Sequence, residues 1–372
     1  MPKILSIVPY TVFPAKVGGQ KGIAFFNEHL ARETELVCIT VKNNDPAFAK
    51  GYNILNILSN GFYRYLNLLY FFRIRKLLRQ YGSTHLMLEH PYYGWLGVLL
   101  KWFTGVKLII HSHNIEATRW KSLQKWWWRI LWWYERFTHR QADYNFFIQE
   151  QDRQYAMQRF GLADSKCITI TYGIEWDRLP LQQDRLSAKQ QLRHQYGIAE
   201  NEAILLFNGA FDYSPNLDAL KKIITIVNPA LQQKLDFHYK IIICGRKIPL
   251  ELNDKSYDNI IFAGFVDDIS TYFKGADVFI NPVTEGGGIK TKLVEALGYN
   301  MNAVSTLNGA IGIESSWCNG KLLLCADNDW SSFATLITQA AHIKNDIPPI
   351  YFERFYWGHL ARKAVAFIQT AG

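Results

Sequence analysis

Three consecutive glycines, Gly286 to Gly288, stand between an apolar run and a segment with helical spacing. Glycines let a backbone approach a ligand closely, and the free N–H groups at a helix N-terminus attract an anion. Lys290 and Lys292 add positive charge there, and Glu295 shares a helix face with Lys292. The pattern would hold a diphosphate on the loop and a sugar hydroxyl on the carboxylate. A glycine-rich turn before a solvated Lys–Glu helix is the alternative interpretation.

The elements that must position this loop follow a repeating order. Apolar, strand-like runs alternate with helical patterns, which predicts parallel sheets covered by helices on both faces. The order begins near Ile4 and restarts at Ala203, after a polar stretch at 176–200. Ligands of such sheets bind at the carboxyl ends of the strands, so a cleft between two domains is the expected site. The expected domains are residues 1–176 with a C-terminal helix 352–372, and residues 177–351.

Composition excludes several classes of protein. A chain of 372 residues with 49% hydrophobic and 20% charged residues can bury two cores and is not disordered. Its five cysteines lie far apart without C-x-x-C spacing, which argues against a disulfide or zinc framework. Neither a secretory leader nor an apolar run of about 20 residues is evident. We therefore expect a cytoplasmic protein.

The net charge of +9 is concentrated in one window. Residues 61–160 contain fifteen Lys and Arg against six Asp and Glu, a difference of +9 that equals the net charge of the whole chain. The same window holds eight of the twelve tryptophans. A basic, tryptophan-rich surface predicts an anionic partner on that side of the protein.

Four ordered glycine motifs resemble one enzyme family. The chain is similar to GT-B glycosyltransferases of the retaining family 4 type, most specifically between about 203 and 329. That resemblance implies two Rossmann-like domains and a C-terminal helix that crosses back to the first. The four motifs are Gly209-Ala210-Phe211-Asp212-Tyr213-Ser214-Pro215-Asn216, Gly264-Phe265-Val266-Asp267-Asp268, the run from Gly286 to Ala296, and Ser305-Thr306-Leu307-Asn308-Gly309-Ala310-Ile311-Gly312.

The resemblance also implies a reaction and donor contacts. A sugar would pass from a UDP- or GDP-sugar to a cell-surface glycan or a lipid-linked acceptor, without a metal or other cofactor. Gly209 and Gly264 would flank the nucleotide, and Gly286, Gly287 and Gly288 would face the sugar and phosphates. Either Lys290 or Lys292 would neutralise the departing diphosphate, since fixed positive charge lowers the barrier to leaving. Glu295 would bind the ribose hydroxyls.

Two positions depart from the family pattern. Many members carry a glutamate eight residues before the ribose glutamate, where this chain has Gly287. Glu285 lies close by in a different register, and we expect it to contact the sugar as a catalytic candidate. The family's early Arg and Lys are also missing from Asp212–Asn216, which transfers the phosphate role to Lys290 and Lys292.

The first domain offers further candidates. Gly18 and Gly19 resemble the family's glycine turn on the diphosphate and acceptor side, although an ordinary strand-to-helix turn is the favoured interpretation of these two residues alone. His113 follows a strand and matches the family's cleft histidine. A metal pair of His111 and His113 with Glu116 is the rival interpretation, but no third ligand is evident from the sequence. The Asp327-Asn328-Asp329 run precedes a helix, where an N-cap is its expected use.

Residues 117–140 predict one long helix with tryptophans and basic residues. Its apolar face, which includes Leu123, Ile130 and Phe137, is expected to pack in the domain core. Another side carries the candidates for contact with an anionic membrane surface, as in interfacial helices. An aromatic core helix with a solvated basic face is the alternative. The membrane-facing candidates are Lys121, Lys125, Trp128, Arg129 and Trp132.

Two other functions were weighed against transfer. One is a GT-B nucleotide-sugar epimerase, which the Gly309–Gly312 motif and the lack of an added acid–base cluster disfavour. The other is a non-enzymatic protein that binds polyanions or membrane surfaces through the basic half. No nucleic-acid partner is expected, because basic charge alone specifies no ligand. A peripheral position at the inner face of the membrane is compatible with the transferase interpretation.

Overall fold

The computed structural model describes residues 1–15, 18–253 and 257–370. It divides the chain into two compact units, Met1–Glu175 with Phe355–Gly372, and Trp176–Arg354. The sequence analysis placed these boundaries after 176 and before 352. Each unit contains its own all-parallel sheet with interleaved helices, so the predicted pair of doubly wound α/β domains is confirmed. Across the described ranges, no helix combines the length and apolar character needed to cross a bilayer.

The sheet of the first unit has seven strands in the order β3-β2-β1-β4-β5-β6-β7. Central strands are buried on both faces, which explains their nearly continuous apolar sequences. The sequence analysis missed β3, whose apolar residues are interrupted by Asn56. The strands are β1 (Lys3–Ile7), β2 (Glu35–Val41), β3 (Asn53–Leu58), β4 (His85–Glu89), β5 (Lys107–Ser112), β6 (Tyr144–Phe147) and β7 (Cys167–Thr169).

The helical periodicity of residues 62–81 and of residues 117–140 predicts two long helices in this unit, and each is broken. The segment from Phe62 to Tyr81 forms a 3-10 turn, Phe62–Leu66, before α2 begins at Leu69. The segment 117–140 forms two helices, and Gln124 between them has a φ of +55° that no α-helix accommodates. The helices are α1 (Gly18–Glu33), α2 (Leu69–Gln80), α3 (Gly94–Thr104), α4 (Glu116–Ser122), α5 (Trp128–Gln141) and α6 (Glu150–Tyr155).

The second unit has six strands in the order β10-β9-β8-β11-β12-β13. A helix, α7 (Gln182–Tyr196), occupies the stretch that the sequence predicted as a polar linker. Asp329 caps α12 by accepting from the Ser332 N–H at 3.1 Å, which confirms the predicted N-cap. The strands are β8 (Ala203–Ala210), β9 (Tyr239–Arg246), β10 (Ile260–Gly264), β11 (Val278–Asn281), β12 (Asn302–Thr306) and β13 (Leu322–Cys325). The other helices are α8 (Ser214–Lys222), α9 (Asn228–Gln232), α10 (Ile269–Gly275), α11 (Thr291–Gly298), α12 (Trp330–Ala340) and α13 (Pro349–Phe355). The last helix, α14 (Trp357–Thr370), belongs to the first unit.

Both sheets contain a point where the strand order reverses direction. In the first unit it lies between β1 and β4, and in the second it lies between β8 and β11. Connections leave such a pair towards opposite faces of the sheet, which opens a crevice at their carboxyl ends. Each unit therefore has one preferred place for a ligand.

Candidate functional site

The glycine loop joins the carboxyl end of β11 to the start of α11. Gly286 and Gly288 have φ angles of +85° and +92°, a region that residues with side chains rarely adopt. Lys290 stands at the N-cap of α11, and its ammonium group donates to the carbonyl oxygens of Gly286 at 2.7 Å and Gly288 at 2.9 Å. Lys290 thus fastens the loop, a role that the sequence did not predict.

Two other glycine motifs pack against this loop. A Cβ on Gly286 would lie 3.0 Å from the Tyr213 hydroxyl and 3.3 Å from Pro215, both in the segment that follows β8. A Cβ on Gly312 would lie 3.3 Å from the side chain of Ile289. Three motifs that are far apart in sequence therefore meet at the carboxyl ends of β8, β11 and β12, around the reversal point of the sheet.

The electrostatics of α11 favour an anionic ligand. Burial lowers the pKa of Lys290 to about 8. Burial also lowers the pKa of Lys292 to about 8, although the nearby Glu295 carboxylate opposes that shift. The first turn of α11 contains no acidic residue. Both ammonium groups are therefore held where their charge is incompletely solvated, and a diphosphate would supply the missing compensation.

Sequence reasoning missed two cations beside the loop motifs. Arg246 ends β9, the neighbour of β8, and Lys247 follows it; both reach the Asp212 carboxylate, at 3.4 Å and 3.2 Å. They lie beside Asp212, in the segment where this sequence lacks the Arg and Lys of the family pattern. The adjacent order of β8 and β9 could have identified them, because residues at the ends of paired parallel strands lie side by side.

The remaining donor-side candidates are spread along the same sheet edge. Gly209 is the penultimate residue of β8, and a Cβ there would lie 3.2 Å from Asn216. Gly264 ends β10, two strands from β8, with a φ of +69° and open space around it. Glu285 is exposed at the start of the glycine loop, and Gly287 has no heavy atom within 4 Å of an added Cβ.

The first unit gathers three histidines around buried carboxylates. Glu89 and His111 are register partners at the carboxyl ends of β4 and β5. The Glu89 carboxylate lies 3.1 Å from His111 Nδ1 and 2.7 Å from His113 Nε2. His90 stacks on His113 with ring centroids 4.4 Å apart, and its Nδ1 lies 3.2 Å from the buried Glu116. The cluster includes His113, the predicted cleft histidine, and sits beside the β1–β4 reversal point.

Charges within this cluster favour ionised carboxylates and a neutral His113. Burial alone would raise the pKa of Glu89, but His111 and His113 hold it well below its usual range. Burial and the neighbouring His90 lower the pKa of His113 to about 4. A carboxylate can only accept, so His113 Nε2 donates to Glu89 and Nδ1 carries the lone pair. His113 can therefore accept a hydrogen bond from a hydroxyl.

This cluster corrects two statements drawn from the sequence. Glu89 is a third ligand-type residue beside His111 and His113, with donor atoms all within 4.8 Å of one another. The three could hold a divalent metal, although hydrogen bonds already join the Glu89 carboxylate to both histidines. The same three residues also form an acid–base cluster. The lack of such a cluster in the sequence was one argument against the epimerase alternative, and that argument is withdrawn. The partner of the histidines is Glu89, whereas Glu116 pairs with His90.

The other candidates of the first unit are placed differently from expectation. Gly18 and Gly19 form the first turn of α1, whereas the sequence predicts a separate turn there and a helix only from about Gly22. Trp132 packs inwards, with its indole N–H donating to the Tyr155 hydroxyl at 3.0 Å. Trp128 is half-buried between the charges of Lys121 and Arg129, whereas Lys121, Lys125 and Arg129 are exposed.

Comparisons with known proteins agree for both units. A family model described as Glycosyltransferase Family 4 matches residues 18–178, and one described as Glycosyl transferases group 1 matches residues 202–342. No curated protein matches the chain.

Solved structures share the fold across the whole chain. Sucrose-phosphate synthase from Thermosynechococcus elongatus has 16% identity, covers 99% of this chain and 98% of its own, and has a TM-score of 0.72. Anabaena HepE in complex with UDP and glucose has 16% identity, full coverage of both chains (100% each) and a TM-score of 0.69. The lipopolysaccharide outer core galactosyltransferase WaaB in its apo form has 12% identity, 99% coverage of each chain and a TM-score of 0.65.

Proposed function

Because the chain is a GT-B glycosyltransferase of the group 1 and family 4 type, we propose that it transfers a hexose-type sugar, with retention of anomeric configuration, from a UDP- or GDP-linked donor. The acceptor in this proposal is a cell-surface glycan precursor or a lipid-linked glycan. The enzyme would act in the cytoplasm at the inner face of the membrane, in the synthesis of cell-envelope polysaccharide.

The convergence of three glycine motifs on one loop carries the proposal. Lys292 and the N-terminus of α11 lie at the reversal point of the second sheet, and Arg246 and Lys247 end a neighbouring strand. This concentration of cations suits a diphosphate, and the Glu295 carboxylate one turn along α11 suits the ribose hydroxyls. The likeness to HepE, whose structure contains UDP and glucose, supports a donor of the same class.

The proposed chemistry needs electrostatic stabilisation above all. The bond between C1 of the sugar and the diphosphate oxygen breaks, and negative charge accumulates on the leaving group. Lys292 and the backbone N–H groups of α11 would stabilise that charge without reorganising. The acceptor hydroxyl then bonds to C1 on the same face, and its proton passes to the leaving diphosphate. Neutral His113 would accept a hydrogen bond from a sugar hydroxyl, and Glu285 would contact the sugar.

We propose that this transfer is independent of metal. The cations of the second unit can balance the diphosphate, so a divalent ion is not required for that purpose. Retained activity in excess EDTA is the expected result. Loss of activity in EDTA with recovery on adding Mn²⁺ or Mg²⁺ would overturn this part of the proposal, and the Glu89–His111–His113 group would then be the first place to look for the ion.

A thermal-shift screen tests the donor site. UDP, GDP, ADP and their common sugars are each added to the full chain, and stabilisation by one diphosphonucleotide is expected. Glu295→Ala and Lys292→Ala should abolish the shift. Glu200→Ala is the matched control, because this exposed glutamate precedes β8 at the opposite edge of the same sheet. A flat screen with every nucleotide would mean that the glycine loop is structural.

A further inference from the structure

Helix α5 has its polar side inside and its apolar side outside. Its buried residues are Glu135, Thr138 and His139, whereas Ile130 is 65% exposed and Trp133 is 61% exposed. A helix on the surface of a soluble domain normally shows the opposite arrangement. The sequence predicts Leu123, Ile130 and Phe137 to lie in the core, but they are 53%, 65% and 43% exposed, so the prediction is wrong for these three residues.

Two of the inward polar residues of α5, Glu135 and His139, have specific hydrogen-bond partners. Glu135 accepts the N–H groups of Glu116 and Ala117, at 2.9 Å and 3.0 Å, and so anchors the first turn of α4. The Nδ1 atom of His139 lies 2.8 Å from the side-chain oxygen of Asn145. These contacts fix the rotation of α5 about its axis, so its apolar side must face outwards.

The exposed apolar surface continues onto the two neighbouring helices. α2 packs against α3 through Phe71 and Phe103, with ring centroids 5.5 Å apart, and α3 packs against α5 through the Tyr134 hydroxyl, which accepts the Trp95 N–H at 3.0 Å. The inner sides of α2 and α3 contribute to the core on the first sheet. We call their outer sides, together with that of α5 and with Trp126 just before it, the outer aromatic face. It is defined by Phe72, Trp102, Phe103, Trp126, Ile130 and Trp133, all at least 60% exposed.

The charge around this face has one sign. Residues 61–141 contain thirteen Lys and Arg but only three acidic residues, Glu89, Glu116 and Glu135, and all three are buried. The stretch that forms α2 to α5 therefore exposes no carboxylate. Cations lie directly on exposed rings, as with Arg136, whose guanidinium is 5.3 Å from the ring centroid of Trp133. Exposed aromatic rings among basic groups are typical of surfaces that bind the headgroup region of anionic membranes.

We propose that the outer aromatic face binds a bilayer containing anionic lipids, with its aromatic side chains inserted at the interface. This deepens the proposed function by naming the surface that would hold the enzyme beside a lipid-linked acceptor. A second copy of the chain does not fit, because two such faces would bring like charges together with no carboxylate between them. A free polyanion would leave the apolar side chains in water.

Vesicle flotation of the full chain tests the proposal. Wild type is expected to float with vesicles of equal parts phosphatidylcholine and phosphatidylglycerol, and to remain with the soluble fraction when the vesicles are phosphatidylcholine alone. The double variant Trp126→Ser/Trp133→Ser should bind on the order of tenfold more weakly. The double variant Lys121→Glu/Lys125→Glu should weaken binding and reduce its salt dependence.

Matched controls separate this surface from the donor site and from the fold. Leu235→Ser alters an apolar residue that is 86% exposed on the second unit, and it should bind vesicles as wild type does. All variants should keep the wild-type melting temperature and the wild-type response to nucleotide, since the altered side chains are exposed. A failure of nucleotide binding would affect the proposed function and leave the vesicle result intact.

Several results would overturn the proposal. One is failure of wild type to float with either vesicle, and another is binding of the tryptophan double variant as tight as that of wild type. Conversion of a wild-type dimer to a monomer by the same variant would assign the face to contacts between copies. Binding to RNA at least as tightly as to the anionic vesicles would assign it to a polyanion.

Discussion

Nucleotide binding should become weaker as the pH rises through 8, because Lys292 must be protonated to balance a diphosphate. Burial has lowered the pKa of its ammonium group to about 8, from an ordinary value of 10.5. A bound diphosphate would restore the ordinary pKa, which couples protonation to binding by about 3 kcal/mol. Binding strength is therefore complete below pH 8 and is lost progressively above it.

The size of this effect follows from the two pKa values. At pH 7 most of the free protein carries the Lys292 proton, whereas at pH 9 about one molecule in ten does. The dissociation constant of the nucleotide should therefore rise about tenfold between pH 7 and pH 9 on account of this lysine. Calorimetry in two buffers of different ionisation enthalpy should detect the uptake of close to one proton per nucleotide at pH 9.

Lys292→Arg is the control, since a guanidinium remains charged throughout this range. The ratio of the wild-type dissociation constant to that of the variant should rise about tenfold from pH 7 to pH 9. Taking this ratio cancels the titration of the nucleotide base and of Lys290, which both proteins share. A ratio that stays constant across the range would refute the reasoning, because Lys292 would then not face the diphosphate.

Three further predictions concern the loop, the histidine cluster and the core. Gly286→Ala should weaken donor binding by about tenfold, since a left-handed backbone costs a residue with a Cβ roughly 1–2 kcal/mol. Nucleotide titration of this variant and of Gly287→Ala, a position that has space for a Cβ, checks the prediction. Equal effects of the two substitutions would contradict it. Glu89→Gln should lower kcat and leave the affinity for UDP unchanged, because this carboxylate orients His113. In steady-state kinetics His113→Ala should have a similarly lowered kcat. A Glu89→Gln variant that loses UDP binding but keeps its kcat would argue against this role. Burial lowers the pKa of His139 to about 4, so lowering the pH from 7 to 5 should reduce the free energy of unfolding by about 2 kcal/mol through this residue. Urea unfolding of His139→Gln should show a correspondingly smaller loss between these pH values. A pH dependence equal to that of wild type would exclude this histidine as the cause.

Much of the fold was accessible from the sequence because parallel strands are buried on both faces. Runs such as Ile241–Cys244 and Val278–Asn281 have no polar alternation and are bounded by turn residues, which is the pattern of such strands. Where polar residues interrupt the run, as Asn56 does in β3, the strand was missed. The glycine motifs were identified for a different reason, because Gly286 and Gly288 supply positive φ angles that few other residues tolerate.

The histidine cluster could be predicted only in part. His113 was identified by its place after a strand, but its partner Glu89 lies on a different strand. Finding that partner requires the pairing of β4 with β5 and the register that sets Glu89 opposite His111. Consecutive strands are often neighbours, so the pairing could have been assumed, but the register depends on tertiary packing.

The periodicity of the sequence could not predict which side of α5 faces the domain core. A helical period separates an apolar side from a polar side but does not say which one meets the sheet. In this chain Glu135 and His139 find partners at the N-terminus of α4 and on β6, so burial of the polar side carries no unpaired charge. The proposed contact with an anionic bilayer would account for the exposed apolar side.

The central claim is transfer of a sugar from a nucleotide donor at the glycine loop. Its most direct test incubates the enzyme with UDP- and GDP-sugars labelled in the sugar, together with isolated membranes as the source of acceptor, in the presence of EDTA. We predict that label enters a lipid or glycan fraction as nucleoside diphosphate is released, with the anomeric configuration of the donor, and that Glu295→Ala abolishes both. Conversion of a donor into its epimer without release of nucleoside diphosphate, or equal transfer by Glu295→Ala, would contradict the account.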